Sequence, residues 1–166
     1  MGSGAVQDSL TRAEVLRRYR HGPQTGIFTD GGARPNPGPG GWGVVHVVDG
    51  VIQAERYGSE RDTTNNRMEL TALIQGMKLI DPETEMEVYS DSDLCVKTIN
   101  EWAASWERRG WKRKDGPVKN LDLVRELYEL KKERPKVRLK WIKAHNGWLW
   151  NEYVDSLASA WTRSEV

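Results

Sequence analysis

The stretch Gly31 to Gly41, GGARPNPGPGG, excludes helix over its whole length, because its prolines lack amide donors and its glycines lose the most backbone entropy on ordering. What flanks it is strand-like. Gly26-Ile27-Phe28-Thr29-Asp30 is a short apolar run ending in a carboxylate. Trp42 to Val48 and Val51 to Tyr57 read as a hairpin turned by Asp49-Gly50. The chain therefore opens as an antiparallel meander, with Gly31 to Gly41 expected as the loop between the first two strands.

Beyond the meander the apolar period changes. Asn65 to Ile80 carries Leu70, Leu73, Ile74 and Met77 at helical spacing, and Asp81-Pro82 stops it. Met86 to Ser90 predicts a fourth strand, again followed by an acid, Asp91. A second helix places Cys95, Ile99, Trp102 and Trp106 on one stripe, and a basic, glycine-punctuated excursion follows from Arg109 to Lys119. Leu121 to Leu130 is a third helix and Val137 to Ile142 a fifth strand. Asn151 to Trp161 closes the pattern as a helix with Val154, Leu157, Ala158 and Trp161 inward. The expected fold class is α/β: a five-stranded mixed sheet, a three-strand antiparallel meander plus two parallel strands, flanked by helices.

The length of 166 residues suits one such domain, over 25–163. Residues 1–24 are expected to be a tail: Met1-Gly2-Ser3-Gly4 reads as a cloning remnant and Leu10 to Tyr19 as one loose basic helix broken by His21-Gly22-Pro23. No apolar run reaches the roughly 20 residues of a membrane span. Cys95 is the only cysteine, which excludes an internal disulfide and a cysteine-built zinc site and fits a reducing compartment.

Asp30 and Asp91 stand at the carboxyl ends of their strands, the edge where sites gather in α/β sheets. Glu69 adjoins the apolar stripe of the first helix and Asp155 adjoins Val154, so both are expected at the border between core and solvent. Were these four acids to converge, they would repel one another unless cations neutralised them. All-oxygen donors suit Mg²⁺ or Mn²⁺, and two such ions, roughly 4 Å apart, are the usual arrangement for phosphodiester hydrolysis. The glycine stretch is no dinucleotide or P-loop fingerprint: Gly-Lys-Ser/Thr is missing and a strand follows. It reads as a rigid turn, with room for close approach to a sugar–phosphate chain.

The excursion concentrates charge. From Glu107 to Lys119 six basic residues face two acids, a net +4 in a chain that totals +1, so the remainder carries −3. Trp102, Trp106 and Trp111 interleave with these cations, a mixture suited to a phosphate backbone beside sugars or bases.

Taken in order, these segments resemble type 1 ribonuclease H of the bacterial style, from about Thr25 to Trp161. The resemblance rests on Ile27-Phe28-Thr29-Asp30-Gly31-Gly32 with Asn36-Pro37-Gly38-Pro39-Gly40-Gly41, on Thr63 to Leu70 (TTNNRMEL), and on Tyr89-Ser90-Asp91-Ser92. It continues through Trp106 to Leu121 (WERRGWKRKDGPVKNL), Lys143-Ala144-His145, and Asn151-Glu152-Tyr153-Val154-Asp155. It implies an endonuclease that hydrolyses the RNA strand of RNA–DNA hybrids with two Mg²⁺ ions (Mn²⁺ as substitute), leaving 5′-phosphate and 3′-hydroxyl ends. Asp30, Glu69, Asp91 and Asp155 would be the metal ligands, Asp30 bridging both ions, and His145 would move protons or help release product. Asn36, Asn65 and Asn66 would contact the hybrid in its minor groove, where 2′-hydroxyls distinguish RNA. Thr64 would bind a DNA-strand phosphate, Trp102, Trp106 and Trp111 would line the DNA channel, and Gly31 and Lys112 would join the substrate contacts. By default the protein is expected to be a cytoplasmic monomer with no obligate protein partner.

Two departures from the family pattern stand out. Asp93 occupies a position where relatives commonly have Gln, and the extra carboxylate is expected either to weaken hybrid affinity or to attract a stray ion. Asn146-Gly147-Trp148-Leu149-Trp150 is more apolar than usual, which is expected to stiffen His145, with Trp148 and Trp150 as packing residues. A strand-transfer enzyme of the same fold would lack the tryptophan-studded protrusion, and a non-cutting hybrid binder would be expected to have lost an acid.

Overall fold

The structure, a computed structural model, describes residues 9–166. The Met1-Gly2-Ser3-Gly4 reading lies outside the described residues. The sheet comprises β1 (Gly26–Ala33), β2 (Gly38–Val48), β3 (Val51–Thr63), β4 (Met86–Ser90) and β7 (Val137–Trp141), in the order β3-β2-β1-β4-β7. β1, β2 and β3 are antiparallel neighbours, while β4 runs parallel to both β1 and β7. The Asp49-Gly50 turn has φ of 48° and 78°, the double positive φ that a two-residue hairpin requires.

Both faces of the sheet are covered over β1, β4 and much of β2, which is why their apolar residues run with little alternation, whereas β3 is mostly exposed. Ile27, Val44 and Val88 face the helices α2 (Asn65–Met77) and α5 (Leu121–Lys132), packing with Leu70, Leu73, Met77 and Leu127. Their chain neighbours Phe28, Val45 and Tyr89 point the other way, onto Tyr153, Val154 and Leu157 of α6 (Leu149–Ala158). Each fully buried side chain of this size contributes about 1.5–3 kcal/mol.

The glycine stretch is shorter as a loop than its composition suggests. β1 continues to Ala33 and β2 begins at Gly38, with Gly32 opposite Gly41 and Ala33 opposite Gly40, leaving Arg34 to Pro37 as the turn. Pro39 is tolerated because it sits where the β2–β3 register slips, and its carbonyl accepts from the Arg34 amide at 2.9 Å. The glycines here answer to crowding: a Cβ on Gly41 would lie 2.3 Å from the Ala158 carbonyl oxygen.

Other departures have local causes. The second helix is interrupted. α3 (Asp93–Lys97) passes through a π turn at Thr98–Trp102 into α4 (Ala103–Arg108). The extra residue rotates the stripe, so Cys95, Ile99 and Ala103 are buried while Trp102 is 36% exposed. The Arg109 to Lys119 excursion carries a small hairpin of β5 (Lys112–Arg113) and β6 (Gly116–Pro117). α6 ends at Ala158, so Trp161, expected inward, lies in a following 3₁₀ turn and is exposed. α1 (Arg12–Arg18) is docked rather than loose: Thr11 and Glu14 form a reciprocal capping box, and Val15 is buried among the α6 side chains. Among the described residues no helix is long and apolar enough to cross a membrane.

Candidate active site

Three elements deliver three carboxylates to one point. β1 pairs with β4 only as far as Thr29 opposite Ser90, so Asp30 and Asp91 emerge side by side where the two strands part. Glu69 reaches them from α2, whose start is capped by the Thr64 hydroxyl accepting from the Arg67 amide at 3.2 Å. The Gly31 amide donates to Glu69 Oε1 at 2.7 Å and also to Asp30 Oδ1 at 2.9 Å. Ser90, fully buried, donates its hydroxyl to Glu69 Oε2 at 3.4 Å. One oxygen from each of Asp30, Glu69 and Asp91 lies within 4.8 Å of the others. Asp155, on α6, lines the same cleft as Asp30 and Asp91, and one of its oxygens lies within 4.8 Å of ligand atoms of His145 and Glu152.

Asp30 and Glu69 are 8% and 6% exposed, so Glu69 stands inside the core rather than at the border its spacing suggested. Burial pushes the Asp30 carboxyl well above the ordinary carboxylate range, and the charges of Glu69, Asp91 and Asp155 push the same way. Glu69 is raised chiefly by burial and then by Asp91, and Asp91 chiefly by burial. Acids that resist ionisation together in this way suit a divalent cation as partner, and their oxygen donors are of the kind Mg²⁺ and Mn²⁺ take. Cys95 supplies no rival chemistry: it is buried and its thiol is pushed up to about 12.

His145 stands on the loop before α6 at φ 50°, a conformation uncommon outside glycine. Asn146 Oδ1 closes this loop by accepting from the Trp148 amide at 2.9 Å and from Asn151 Nδ2 at 3.2 Å. His145 Nδ1 lies 3.7 Å from Glu152 Oε1, and the imidazole lines the same open cleft as Asp30, Asp91 and Asp155. Glu152 is the residue that sequence reasoning passed over. Its signal was the three-residue spacing from Asp155, which puts both acids on one helix face.

The remaining expected contacts divide. Asn36 Oδ1 accepts from the Asn65 amide at 3.0 Å and Asn65 Oδ1 accepts from the Ala33 amide at 2.7 Å. Their oxygens therefore tie the Arg34–Pro37 turn to α2, while Asn36 and Asn65 remain exposed beside the cleft. Trp102 and Trp106 lie 6.0 Å apart between ring centres, and Lys112 is exposed on β5. Trp111 is different. It is 8% exposed, packed edge-on against Tyr128 at 5.9 Å with the Arg125 guanidinium over its ring, so it supports the protrusion from within instead of lining a channel. Asp93 pairs with Lys97 at 3.0 Å, and Trp150 is buried as a packing residue.

A family model, RNase H, matches residues 23–163. The ribonuclease H of Pseudomonas putida strain GB-1 is 48% identical over 134 residues, 80% of this chain and 89% of that protein. The ribonuclease H of Methylococcus capsulatus is 45% identical over 138 residues, 82% of this chain and 88% of that protein. Among solved structures, LC11-RNase H1 in complex with an RNA/DNA hybrid is similar at a TM-score of 0.60 and 30% identity, covering 81% of this chain and 93% of that one. LC9-RNase H1, described as a type 1 enzyme with the type 2 active-site motif, gives a TM-score of 0.67 at 27% identity, covering 89% and 76%.

Proposed function

This chain belongs to the ribonuclease H family, metal-dependent enzymes that cut RNA within RNA–DNA hybrids, and from that premise we propose that it is a two-metal endonuclease leaving 5′-phosphate and 3′-hydroxyl ends. The observation that carries the mechanism is the convergence of Asp30, Glu69 and Asp91, with Asp155 lining the same cleft, at a point where burial disfavours the charge of Asp30. Asp30, whose carboxyl feels the charges of the other three acids, would be the shared ligand, with Glu69, Asp91 and Asp155 completing the set. When bound, two Mg²⁺ ions would acidify the attacking water and neutralise charge on the leaving oxygen, with Mn²⁺ fitting the same donors. The water gives up a proton to solvent as its oxygen bonds to phosphorus, the P–O3′ bond breaks, and the 3′ oxygen takes up a proton.

The chain's own groups orient this reaction. The Gly31 amide fixes Asp30 and Glu69 relative to each other, and His145, exposed at the cleft, moves protons to and from solvent and assists product release. The Nδ2 groups of Asn36, Asn65 and Asn66 suit minor-groove acceptors and 2′-hydroxyls. Thr64, Trp102, Trp106 and Lys112 lie toward the DNA strand, Thr64 and Lys112 on its phosphates and the tryptophans on its sugars. The ribonuclease H domain proper spans residues 25–163, and the protein acts as a monomer in the cytoplasm.

The test is cleavage of an end-labelled RNA–DNA hybrid with Mg²⁺, with Mn²⁺ and with EDTA, beside single-stranded RNA and duplex DNA. Metal-dependent cutting of the hybrid's RNA alone is expected, and cutting that persists in EDTA would refute the mechanism. Asp91→Asn should lose activity while hybrid binding stays within about twofold; substantial residual cutting would take Asp91 out of the ligand set. Neutralising Lys112, Arg113 and Lys114 together should weaken hybrid binding and reduce the slope of log K against log salt by up to about 3, roughly one for each phosphate no longer neutralised. An unchanged slope would make the protrusion a solvated hairpin.

A further inference from the structure

The family match starts at residue 23, yet the segment before it is built into the site. His21 pairs with Trp148 in a parallel bridge, and the His21 carbonyl accepts from the Leu149 amide at 2.8 Å. Gly22, at φ 100°, lies so close to the Trp148 ring that a Cβ there would meet Trp148 Cγ at 2.5 Å. Trp148 in turn stands edge-on to Tyr89, which stacks on Phe28 with ring centres 4.9 Å apart. Tyr89 and Phe28 each precede a catalytic acid, Asp91 and Asp30, by two residues. A single packing train thus runs from the segment to the two strands that carry the metal centre.

The same segment also faces the imidazole. A cavity between α1 and the loop is lined by Leu10, Arg18 and Tyr19 on one side and by His145, Glu152 and Asp155 on the other. Val15, 1% exposed, and the capping box hold α1 in place, so this wall is anchored and not draped.

We propose that residues 9–22 are a working wall of the active site, a clamp on Trp148 that sets where His145 stands relative to Asp91 and Asp155. His21 and Gly22 are positioning residues, acting through the loop that Asn146 closes onto the Trp148 amide. The proposal rests on the nuclease function proposed for the site, since His145 needs placing only if it serves a reaction at that centre.

Gly22→Ala and Leu149→Pro release the clamp in different ways. The first adds a methyl where Trp148 stands. The second removes the amide donor to His21 at the first residue of α6, where proline is tolerated, and Trp148 already has the extended backbone (ψ 132°) that precedes proline. In the full chain with Mg²⁺, each is expected to lower kcat about tenfold, with KM for the hybrid within about twofold. In a His145→Ala background neither should lower it further, because the group being positioned is gone. The His145 ring resonances of the metal-free protein should shift in both variants. An equal loss of kcat with and without His145 would mean that the segment acts only on general stability, and unchanged kcat and resonances would mean that it positions nothing. If the parent protein cuts no hybrid, the nuclease function fails, and the ring resonances alone decide whether the clamp exists.

Discussion

Asp30→Asn is expected to abolish cleavage and, in the same protein stripped of metal, to raise the melting temperature. The two effects have one origin. The Asp30 carboxylate is held among Glu69, Asp91 and Asp155 at 8% exposure, where its charge is useful only to a cation. Without the shared ligand, several kcal/mol of transition-state stabilisation are lost, roughly 10³-fold or more in kcat. Without the charge, the apo fold loses a buried repulsion, and Tm should rise by roughly 2–4 °C for each kcal/mol relieved in a domain of this size.

The sign of the pH dependence follows. Because the folded protein holds the Asp30 and Glu69 protons more tightly than the unfolded chain does, apo stability falls as pH rises. The fall begins near the ordinary carboxylate pKa of about 4 and ends at the raised folded values. Mg²⁺ should therefore raise Tm more at pH 8 than at pH 5.5, and Asp30→Asn should flatten the apo slope. Calorimetry in EDTA at several pH values, beside single-turnover cleavage, checks all of this. A variant that melts lower than the parent in EDTA, or that still cuts, would remove Asp30 from the centre of the cluster.

Gly31→Ala is the second large effect, and it works through space rather than charge. A Cβ on Gly31 would stand 2.4 Å from the Met68 carbonyl carbon and 2.6 Å from the Glu69 amide nitrogen. These are backbone atoms of α2, which cannot rotate aside. The helix must move off β1, and the Gly31 amide then loses its place between Asp30 and Glu69. Overpacking of this kind costs about 1–3 kcal/mol, and a displacement near 1 Å at the ligands is worth about 10²-fold in rate. The expected result is a lower Tm together with a loss of kcat that excess Mg²⁺ does not restore. Full activity in Gly31→Ala would mean that the contact between β1 and α2 does not set the site.

Much of the architecture was legible in the chain. The β4 bounds, the β2–β3 turn at Asp49-Gly50 and the two helices, expected over 65–80 and 121–130 and found over 65–77 and 121–132, follow from local periodicity and turn chemistry, which tertiary contacts reinforced. The misreadings also have physical reasons. Gly31 to Gly41 looked like loop because glycine and proline disfavour strands on average, whereas here α2 and the Ala158 end of α6 press so close to the sheet that only glycine fits. The tryptophans looked alike in sequence. The π turn at Thr98–Trp102 turned Trp102 outward, while the fold of the small hairpin took Trp111 into the core.

The candidate site divides along the same line. Which acids exist, that two of them end strands, and that oxygen donors rather than thiols would meet a cation can all be read along the chain, because residue identity and period are local properties. That Glu69 is buried, that the Gly31 amide serves both Asp30 and Glu69, and that residues 9–22 stand behind His145 emerged only in the assembled fold. Each of those depends on groups far apart in the chain brought within a few ångströms, and on the water their meeting displaces. No local pattern encodes that displacement, and it is what pushes the Asp30 carboxyl above its ordinary range.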